Sequence, residues 1–381
     1  MTRRTLFVAL LAHLMAACEV DPPARSPSSE ACAQLPRWEE LRETDATLEH
    51  TFGLEHDPSG LEFGRITDVA VGRSGRLFVS DGLARQVVGI ERGEEAVRIG
   101  KEGDGPGEFR YPLEIRVLED GTLVVFDVGL WRISHFSPEG DLLAESHPEP
   151  DADFGQNPEA HFNAAGTLYS LGFDRYQESL VESLRGRRGL GRGRVGIRRW
   201  NTEPGMWQRV VETDGPQVYV DLSAGAIVDV LGAKRTLWDV SPAGTVFYMD
   251  TEAWELRAMP PIDTLSACVV RGPDPPPSMP EAAVADFYAA RDLPEDTPVE
   301  VVRNLRQVRR GVPLPETLPV ADRLVADEDG GVWVRLTGEY PPRESATWLW
   351  LTRDGRPPAR VALPRDFRPK EIRPPRLWGV G

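Results

Sequence analysis

Residues 100–127, GKEGDGPGEFRYPLEIRVLEDGTLVVFD, join a glycine-rich corner to an alternating hairpin. The corner, 100–112, has four glycines and two prolines, which excludes the interior of a helix or strand. After it, apolar residues alternate on both sides of Asp120 and Gly121, and this pattern predicts two antiparallel strands joined by a tight turn. The corner is therefore interpreted as the connection between two structural units, with Phe109 packed between them.

The hairpin recurs along the chain. Similar segments lie at 66–81, 112–127, 159–174, 236–250 and 321–336, and their turn glycines are Gly75, Gly121, Gly166, Gly244 and Gly330. Further strand-like segments follow the first, second and fifth copies, at 85–100, 131–146 and 347–363. A unit of about 45 residues with four short antiparallel strands is typical of a β-propeller blade.

We therefore expect an all-β, six-bladed propeller over residues 37–381. The five hairpins supply five blades, and the strand at 47–54 joins the C-terminal segment 371–380 in a sixth, so that the ring has no open sheet edge. Two wide intervals between copies are interpreted as insertions. Residues 185–215 are expected to form an outer edge or loop, and 280–311 a helical pair on the rim.

The N-terminus has the pattern of an export signal. Arg3 and Arg4 precede a short apolar run, and two alanines then precede Cys18. This pattern resembles a bacterial lipobox and predicts a signal peptide at 1–17, lipidation of Cys18 and a flexible tether at 18–36. The expected location is the bacterial cell envelope, periplasmic or surface-facing. Cys32 and Cys268 are a candidate disulfide, with two free thiols as the alternative.

Residues 66–147 resemble an NHL repeat. The corner matches at Gly105, Pro106, Gly107, Glu108, Phe109 and Pro112, and the closing strand pair matches at Arg132, Ile133, Phe136 and Gly140. The whole chain resembles the six-bladed NHL-like propeller lipoproteins of bacteria, with NHL or TolB-like architecture. The resemblance implies a propeller without an assigned activity, although some propellers in or near this family are metal-dependent lyases or lactonases. The corner lacks the lysine and hydroxyl residue of a phosphate loop and the alternating acids of a calcium loop.

Four residues are candidates for a site at the channel mouth. Asp68, Glu114 and Asp239 occupy similar positions in three copies of the repeat, and His161 is the histidine placed to face the channel. One interpretation is an acidic ring that holds a divalent cation such as calcium or a cationic ligand. The other is that these side chains cap strand ends and accept hydrogen bonds from neighbouring backbone amides. Apart from such a cation, no cofactor is expected.

The formal net charge of −16 argues against a nucleic-acid partner. The basic run at 185–199 reverses the charge locally, and is interpreted either as a solvated loop or as a surface for acidic partners. We favour a monomeric, non-catalytic scaffold that binds an envelope protein, a peptide or a glycan. The alternatives are a divalent-metal-dependent hydrolase or lyase, lactonase-like, at the channel mouth, and a structural subunit of an envelope complex.

Overall fold

The computed structural model describes residues 6–11, 41–52, 61–91, 96–148, 159–173, 175–185, 187–202, 205–221, 226–252, 255–259, 298–300, 302–303, 311–313, 317–337, 344–352 and 358–381. Within these ranges the chain is mostly β, with the helix α1 (Tyr176–Leu184), further helical residues at 299–300 and 302–303, and five antiparallel or mixed sheets.

The sheets follow the order of the repeats. The first contains β3 (Ile66–Val71), β4 (Leu77–Asp81), β5 (Gln86–Ile90) and β6 (Val97–Ile99). The second contains β7 (Pro112–Val117), β8 (Leu123–Asp127), β9 (Arg132–Phe136) and β10 (Leu142–Ser146). The third contains β11 (Ala160–Phe162), β12 (Leu168–Gly172), β13 (Gly189–Asn201), β14 (Met206–Asp221) and β15 (Ala226–Asp229). The fourth contains β16 (Thr236–Val240), β17 (Val246–Asp250) and β18 (Glu255–Met259).

The fifth sheet is larger and holds both ends of the described chain. Its strands, in spatial order, are β19 (Ala321–Ala326), β20 (Val332–Leu336), β21 (Ser345–Leu351), β22 (Ala359–Pro364), β2 (Arg42–Phe52), β1 (Leu6–Leu11), β24 (Arg376–Val380) and β23 (Arg368–Arg373).

All five predicted hairpins are confirmed. They are the pairs β3–β4, β7–β8, β11–β12, β16–β17 and β19–β20, and each opens its sheet. Each predicted turn glycine has a φ between +75° and +90°, a conformation that other residues adopt only with strain. The strand pairs predicted after the first, second and fifth hairpins are confirmed as β5–β6, β9–β10 and β21–β22.

The innermost strands close a ring. β3 contacts β7, β7 contacts β11, and the sequence of contacts continues through β16, β19 and β23 back to β3. Apolar side chains fill the spaces between successive sheets; one buried cluster, for example, joins Phe78 of the first sheet, Phe136 of the second and Phe109 of the corner between them. This radial arrangement of sheets around an axis is a β-propeller.

The two ends of the chain meet in one sheet, but they do not form a separate sixth sheet. β24 pairs with β1, β1 pairs with β2, and Arg42–Asp45 of β2 pairs in parallel with Ala359–Ala362 of β22. The parallel pairing fuses the terminal strands with β19–β22, so the structure has five sheets where the repeat count predicts six blades. The pairing of β1 also places residues 6–11 of the predicted signal peptide in the sheet, and their cleavage stays a prediction.

The glycine-rich corner is an ordered turn. Phe109 is fully buried, and its ring meets the Phe136 ring edge-on at 5.8 Å. The Phe109 amide donates to the Lys101 carbonyl at 2.7 Å, and the Arg132 guanidinium donates to the carbonyls of Asp104 and Glu108. The matched corner and closing residues therefore serve one purpose, which is to hold the chain between the first and second sheets.

Buried aspartates at the ends of β4 and β8 stabilise the loops beside them. Asp81 accepts from the amides of Gly64, Arg65, Leu83 and Ala84, and Asp127 accepts from those of Arg110, Tyr111 and Leu130, all at 2.6–3.0 Å. Both carboxylates are fully buried, and these amides replace the lost water. Each aspartate accepts hydrogen bonds from the segment before its hairpin and from the turn after it. It therefore fixes the chain on both sides of the hairpin.

Of the two expectations for 185–215, an outer edge or a loop, the structure confirms the outer edge. Residues 189–201 and 206–221 are the long strands β13 and β14, which pair with each other and extend the third sheet. The preceding helix α1 was missed, although its buried residues Tyr176, Leu180 and Leu184 recur every four positions. Most of the predicted helical pair at 280–311 lies outside the described residues; within it, the Val302 amide donates to the Pro298 carbonyl, as in an α-helical turn.

The two features predicted at the cysteines, lipidation and a disulfide, cannot be placed. Cys18, Cys32 and Cys268 all lie outside the described residues. In the ranges that the structure does describe, no helix is long and apolar enough to cross a membrane.

The corner provides a test of packing at a glycine. A Cβ added at Gly100, whose φ is +72°, would lie 2.2 Å from Cε2 of Phe109, whereas at Gly75, with φ +90°, it would meet nothing within 4 Å. We expect Gly75→Ala to cost about 1–2 kcal/mol of unfolding free energy from backbone strain. Gly100→Ala should cost a further ~1–3 kcal/mol, because Phe109 must move. Chemical denaturation of both variants measures the difference, and equal losses would contradict the buried position of Phe109.

Candidate functional site

The structure brings three of the four predicted site residues together. Glu114 lies on β7, His161 on β11 and Asp239 on β16, which are successive strands of the inner ring. Nδ1 of His161 lies 3.5 Å from Oε1 of Glu114 and 3.2 Å from Oδ1 of Asp239. The side chains of His161, Glu114 and Asp239 are 30%, 15% and 13% exposed, so a ligand can reach them.

Asp68 lies one strand further round the ring, on β3, and has different partners. Its Oδ2 accepts a hydrogen bond from the Ile115 amide of β7 at 2.9 Å, and its Oδ1 lies 3.6 Å from Nζ of Lys370 on β23. No described contact joins it to His161. Asp68 therefore extends the acidic side of the ring without entering the histidine cluster.

Several of these carboxylates also hold neighbouring strands together. Oδ2 of Asp239 accepts from the Ala326 amide of β19 at 2.8 Å. Oε2 of Glu371, on β23, accepts from the Val71 amide of β3 at 2.6 Å. With the Asp68–Ile115 bond, three junctions between inner strands use a buried or partly buried carboxylate in this way. These contacts support the interpretation that the acidic side chains accept backbone amides at strand ends, and Oδ1 of Asp239, the atom nearest His161, also accepts from the Val240 amide at 2.7 Å.

The protonation states follow from this arrangement. Partial burial lowers the pKa of His161, but the carboxylates of Asp239 and Glu114 outweigh that effect and raise the pKa to about 9. Burial, with the nearby charge of Glu114, raises the pKa of Asp68 to about 8 against the opposing charge of Lys370. At neutral pH, His161 is therefore a cation between two carboxylates, and the pKa of Asp68 is raised by its burial.

Sequence reasoning missed three residues around this cluster. The Trp238 ring meets the His161 ring edge-on at 4.7 Å, and its Nε1 donates to Oε2 of Glu159 at 2.9 Å. Lys370 was also missed, although it is the third residue of β23, as Asp68 is of β3 and Glu114 of β7. Alignment of the inner strands could have found Lys370, whereas nothing in the sequence pairs Trp238 with Glu159.

The geometry of a metal centre is not found in the described part of the chain. Among its residues, no group of three or more His, Cys, Asp or Glu side chains is arranged to hold a metal ion. In addition, a protonated imidazole has no lone pair to offer a cation.

The arginine run at 185–199 is not a solvated loop. In β13, Arg192 is 12% exposed and pairs with Asp250 at 2.8 Å, and Arg194 pairs with Asp214 at 2.7 Å. Arg198 is buried. These arginines are therefore components of the third sheet and its contact with the fourth.

The end of the same run borders a polar pocket of about 350 Å³. It is lined by Tyr169, Arg199 and Trp200 and by residues of the turns at Asn163 and Gly244. The sequence contained no pattern that indicated this pocket.

No protein-family model matches the chain, and no curated relative matches it. Solved structures align over most of its length. A protein of unknown function from Bacteroides caccae is 11% identical over 95% of this chain and 94% of its own, with a TM-score of 0.41. A gluconolactonase from Xanthomonas campestris is 13% identical over 98% and 96%, also with a TM-score of 0.41. A virginiamycin B lyase from Staphylococcus aureus is 10% identical over 83% and 96%, with a TM-score of 0.37. Likenesses this distant say nothing about the activity of the present chain.

The raised pKa of His161 predicts a pH-dependent contribution to stability. Because the folded state holds the proton more tightly, the stabilising effect is complete below about pH 6.5 and is lost as the pH rises towards 9. We expect the destabilisation caused by His161→Gln to be largest near pH 6 and to shrink by pH 9.5. Denaturant unfolding at several pH values measures this trend.

His135 provides the matched control. Burial lowers the pKa of His135, so its contribution to stability is lost as the pH falls and not as it rises. This loss takes place below about pH 6.5. His135→Gln should therefore give a constant difference from the wild type between pH 7 and 9.5. A His161→Gln difference that is equally constant over this range would show that the imidazole is not held as a cation.

Proposed function

We propose that the protein is an exported, membrane-anchored binding protein without catalytic activity, and that its ligand is a segment of a protein or peptide docked over the channel mouth. The observation that supports this proposal is the convergence of Glu114, His161 and Asp239 on successive inner strands, with all three side chains partly exposed.

We also propose that the ring is functionally six-bladed. Six inner strands contact one another in a closed circle, and the eight-stranded sheet supplies two of them, β19 and β23. In this proposal the parallel pairing of β2 with β22 joins two neighbouring blades of four strands each.

The charges around His161 favour a cationic group on the ligand. Glu114, Asp239 and the exposed Glu159 provide three carboxylates, and the imidazolium of His161 compensates one of them. A lysine or arginine side chain is the complement of such a site, because a charge-assisted hydrogen bond to a carboxylate is stronger than a neutral one. This selects a protein or peptide over a neutral glycan. No described observation favours the metal-dependent hydrolase as a second function.

Removal of one carboxylate should weaken binding of cationic peptides. We expect Glu114→Gln to weaken the binding of a fluorescently labelled arginine-containing peptide about tenfold or more, corresponding to the loss of ~1.5–3 kcal/mol for a charged hydrogen bond. Glu255→Gln is the control, since Glu255 is an exposed residue of β18 paired with Arg257 and carries the same formal charge. Fluorescence anisotropy measures both affinities, with an acidic peptide and a neutral oligosaccharide as further probes.

Equal losses in the Glu114 and Glu255 variants would mean that only the net charge of −16 attracts the peptide. Tighter binding of the oligosaccharide than of the cationic peptide would assign the mouth to a glycan.

Membrane attachment is tested separately at Cys18. We expect the wild-type protein to fractionate with membranes and to carry a lipid on Cys18 as its first residue, and Cys18→Ser to release it to the soluble fraction. Intact mass measurement of the purified protein checks the N-terminus. Retention of residues 1–17 in the mature chain would contradict the anchor and make β1 a permanent strand.

A further inference from the structure

The polar pocket of about 350 Å³ lies beside the turns of two neighbouring sheets. Residues 163–167 join β11 to β12 in the third sheet, and residues 241–245 join β16 to β17 in the fourth. The Ala164 amide donates to the Pro242 carbonyl at 3.0 Å, which fixes the two turns to each other. The pocket is therefore bordered by ordered backbone, and its volume falls in the range of about 300–1,000 Å³ that is typical of ligand pockets.

Polar side chains of the third sheet line this pocket. Thr167 and Tyr169 are two residues apart in the chain, as are Arg199 and Asn201, so the members of each pair lie on the same face of the sheet. Tyr169 and Arg199 are also direct partners in the antiparallel register of β12 and β13. Together the four residues give this wall two hydroxyl groups, a guanidinium group and a side-chain amide.

Asn163 has an unused hydrogen-bond donor at the pocket. Its side chain is only 9% exposed, and its Oδ1 accepts from the amides of Ala165 at 3.0 Å and Thr167 at 2.9 Å. Nδ2 is on the opposite side of the amide carbon, and no residue in the described ranges accepts a hydrogen bond from it. Because mostly buried polar groups are normally hydrogen-bonded, the acceptor for Nδ2 has to come from the contents of the pocket.

Arg199 supplies the charge of the pocket. Its Nε donates to Oε1 of Gln208 at 2.9 Å, and the Tyr169 hydroxyl is a further hydrogen-bond partner of its side chain. Both partners are neutral. Within the described part of the chain no carboxylate pairs with Arg199, whereas Arg192 and Arg194 of the same strand have Asp250 and Asp214. Since a guanidinium group has five N–H donors, Arg199 retains donors for a ligand.

The lining selects one class of ligand by its charge. It contains one guanidinium group and no carboxylate, so the ammonium group of an amino acid would find no opposite charge among these residues. A phosphate monoester carries about two negative charges, which is more than one guanidinium group compensates. A carboxylate matches the guanidinium group in charge and in the forked geometry of its oxygens.

The neutral groups of the lining add a second requirement. The hydroxyls and side-chain amides of Thr167, Asn201 and Thr202 can each donate and accept hydrogen bonds. Ligand hydroxyl groups have the same double capacity, so several of them can be satisfied here at once. The ligand that fits both requirements has one carboxylate and several hydroxyls.

We propose that this pocket binds a sugar acid, with the carboxylate on Arg199 and a ligand oxygen that accepts from Nδ2 of Asn163. This inference does not depend on the proposed function, because the pocket shares no residue with the cluster of Glu114, His161 and Asp239.

The proposal is tested with three small probes in isothermal titration of the purified protein at constant ionic strength. Glucuronate has both the carboxylate and the ring hydroxyls, glucose lacks the carboxylate, and cyclohexanecarboxylate lacks the hydroxyls. We expect glucuronate to bind saturably and at least tenfold more tightly than either of the others. Absence of saturable glucuronate binding, or equal affinity for glucuronate and one of the other probes, would overturn the proposal.

Two variants locate the binding. Arg199→Gln removes the guanidinium group, and Asn163→Asp keeps the acceptor of the turn but replaces the Nδ2 donor with an oxygen that repels a carboxylate. Each should weaken glucuronate binding tenfold or more. Arg194→Gln is the matched control, because it changes the net charge by the same amount on the same strand and lies outside the lining. Its affinity should equal that of the wild type.

Thermal unfolding without ligand shows whether each variant folds. If Arg199→Gln does not fold, Asn163→Asp decides the location, and the comparison of the three probes on the wild type needs no variant. Unchanged affinity in the variants of Arg199 and Asn163, or an equal loss in Arg194→Gln, would show that glucuronate binds elsewhere or responds to net charge alone, and would overturn the proposal.

Discussion

Closure of the ring is the constraint on which the rest of this structure depends. A sheet of a few short strands presents two apolar faces, and it can bury both only between two neighbouring sheets. Phe109 is fully buried because it lies between the first and second sheets, and Trp333, Trp348 and Trp350 are at most 1% exposed because the fifth sheet is covered in the same way. The terminal strands complete the circle, since β23 contacts β3.

The same closure builds the candidate site. The junctions between inner strands are held by carboxylates that accept backbone amides of the next strand, as Asp68 does from Ile115 and Asp239 from Ala326. A buried carboxylate needs such donors, and once it is placed it also imposes its charge on the channel. His161 is a cation because closure brings it between Glu114 and Asp239. The chemistry of the mouth is therefore a consequence of how the strands are joined.

On this propeller the acidic and basic side chains are concentrated at different places, which the overall composition does not show. The chain is strongly acidic, yet arginines are concentrated locally in β13. Arg192 and Arg194 of this strand are neutralised by Asp250 and Asp214, which makes them structural.

Local features of the fold could be predicted from the sequence alone. Each hairpin depends on alternation and on a glycine such as Gly121 that accepts a positive φ, and these are properties of neighbouring residues. The corner at 100–112 was interpretable for the same reason. Helix α1 had a readable pattern that was not recognised, and the basic run at 185–199 could not be interpreted, because Arg192 meets Asp250 only across the boundary between two sheets. The convergence of Glu114, His161 and Asp239, and the fusion of the terminal strands with β22, were decided by the tertiary structure, since residues far apart in the chain become neighbours only when the ring closes.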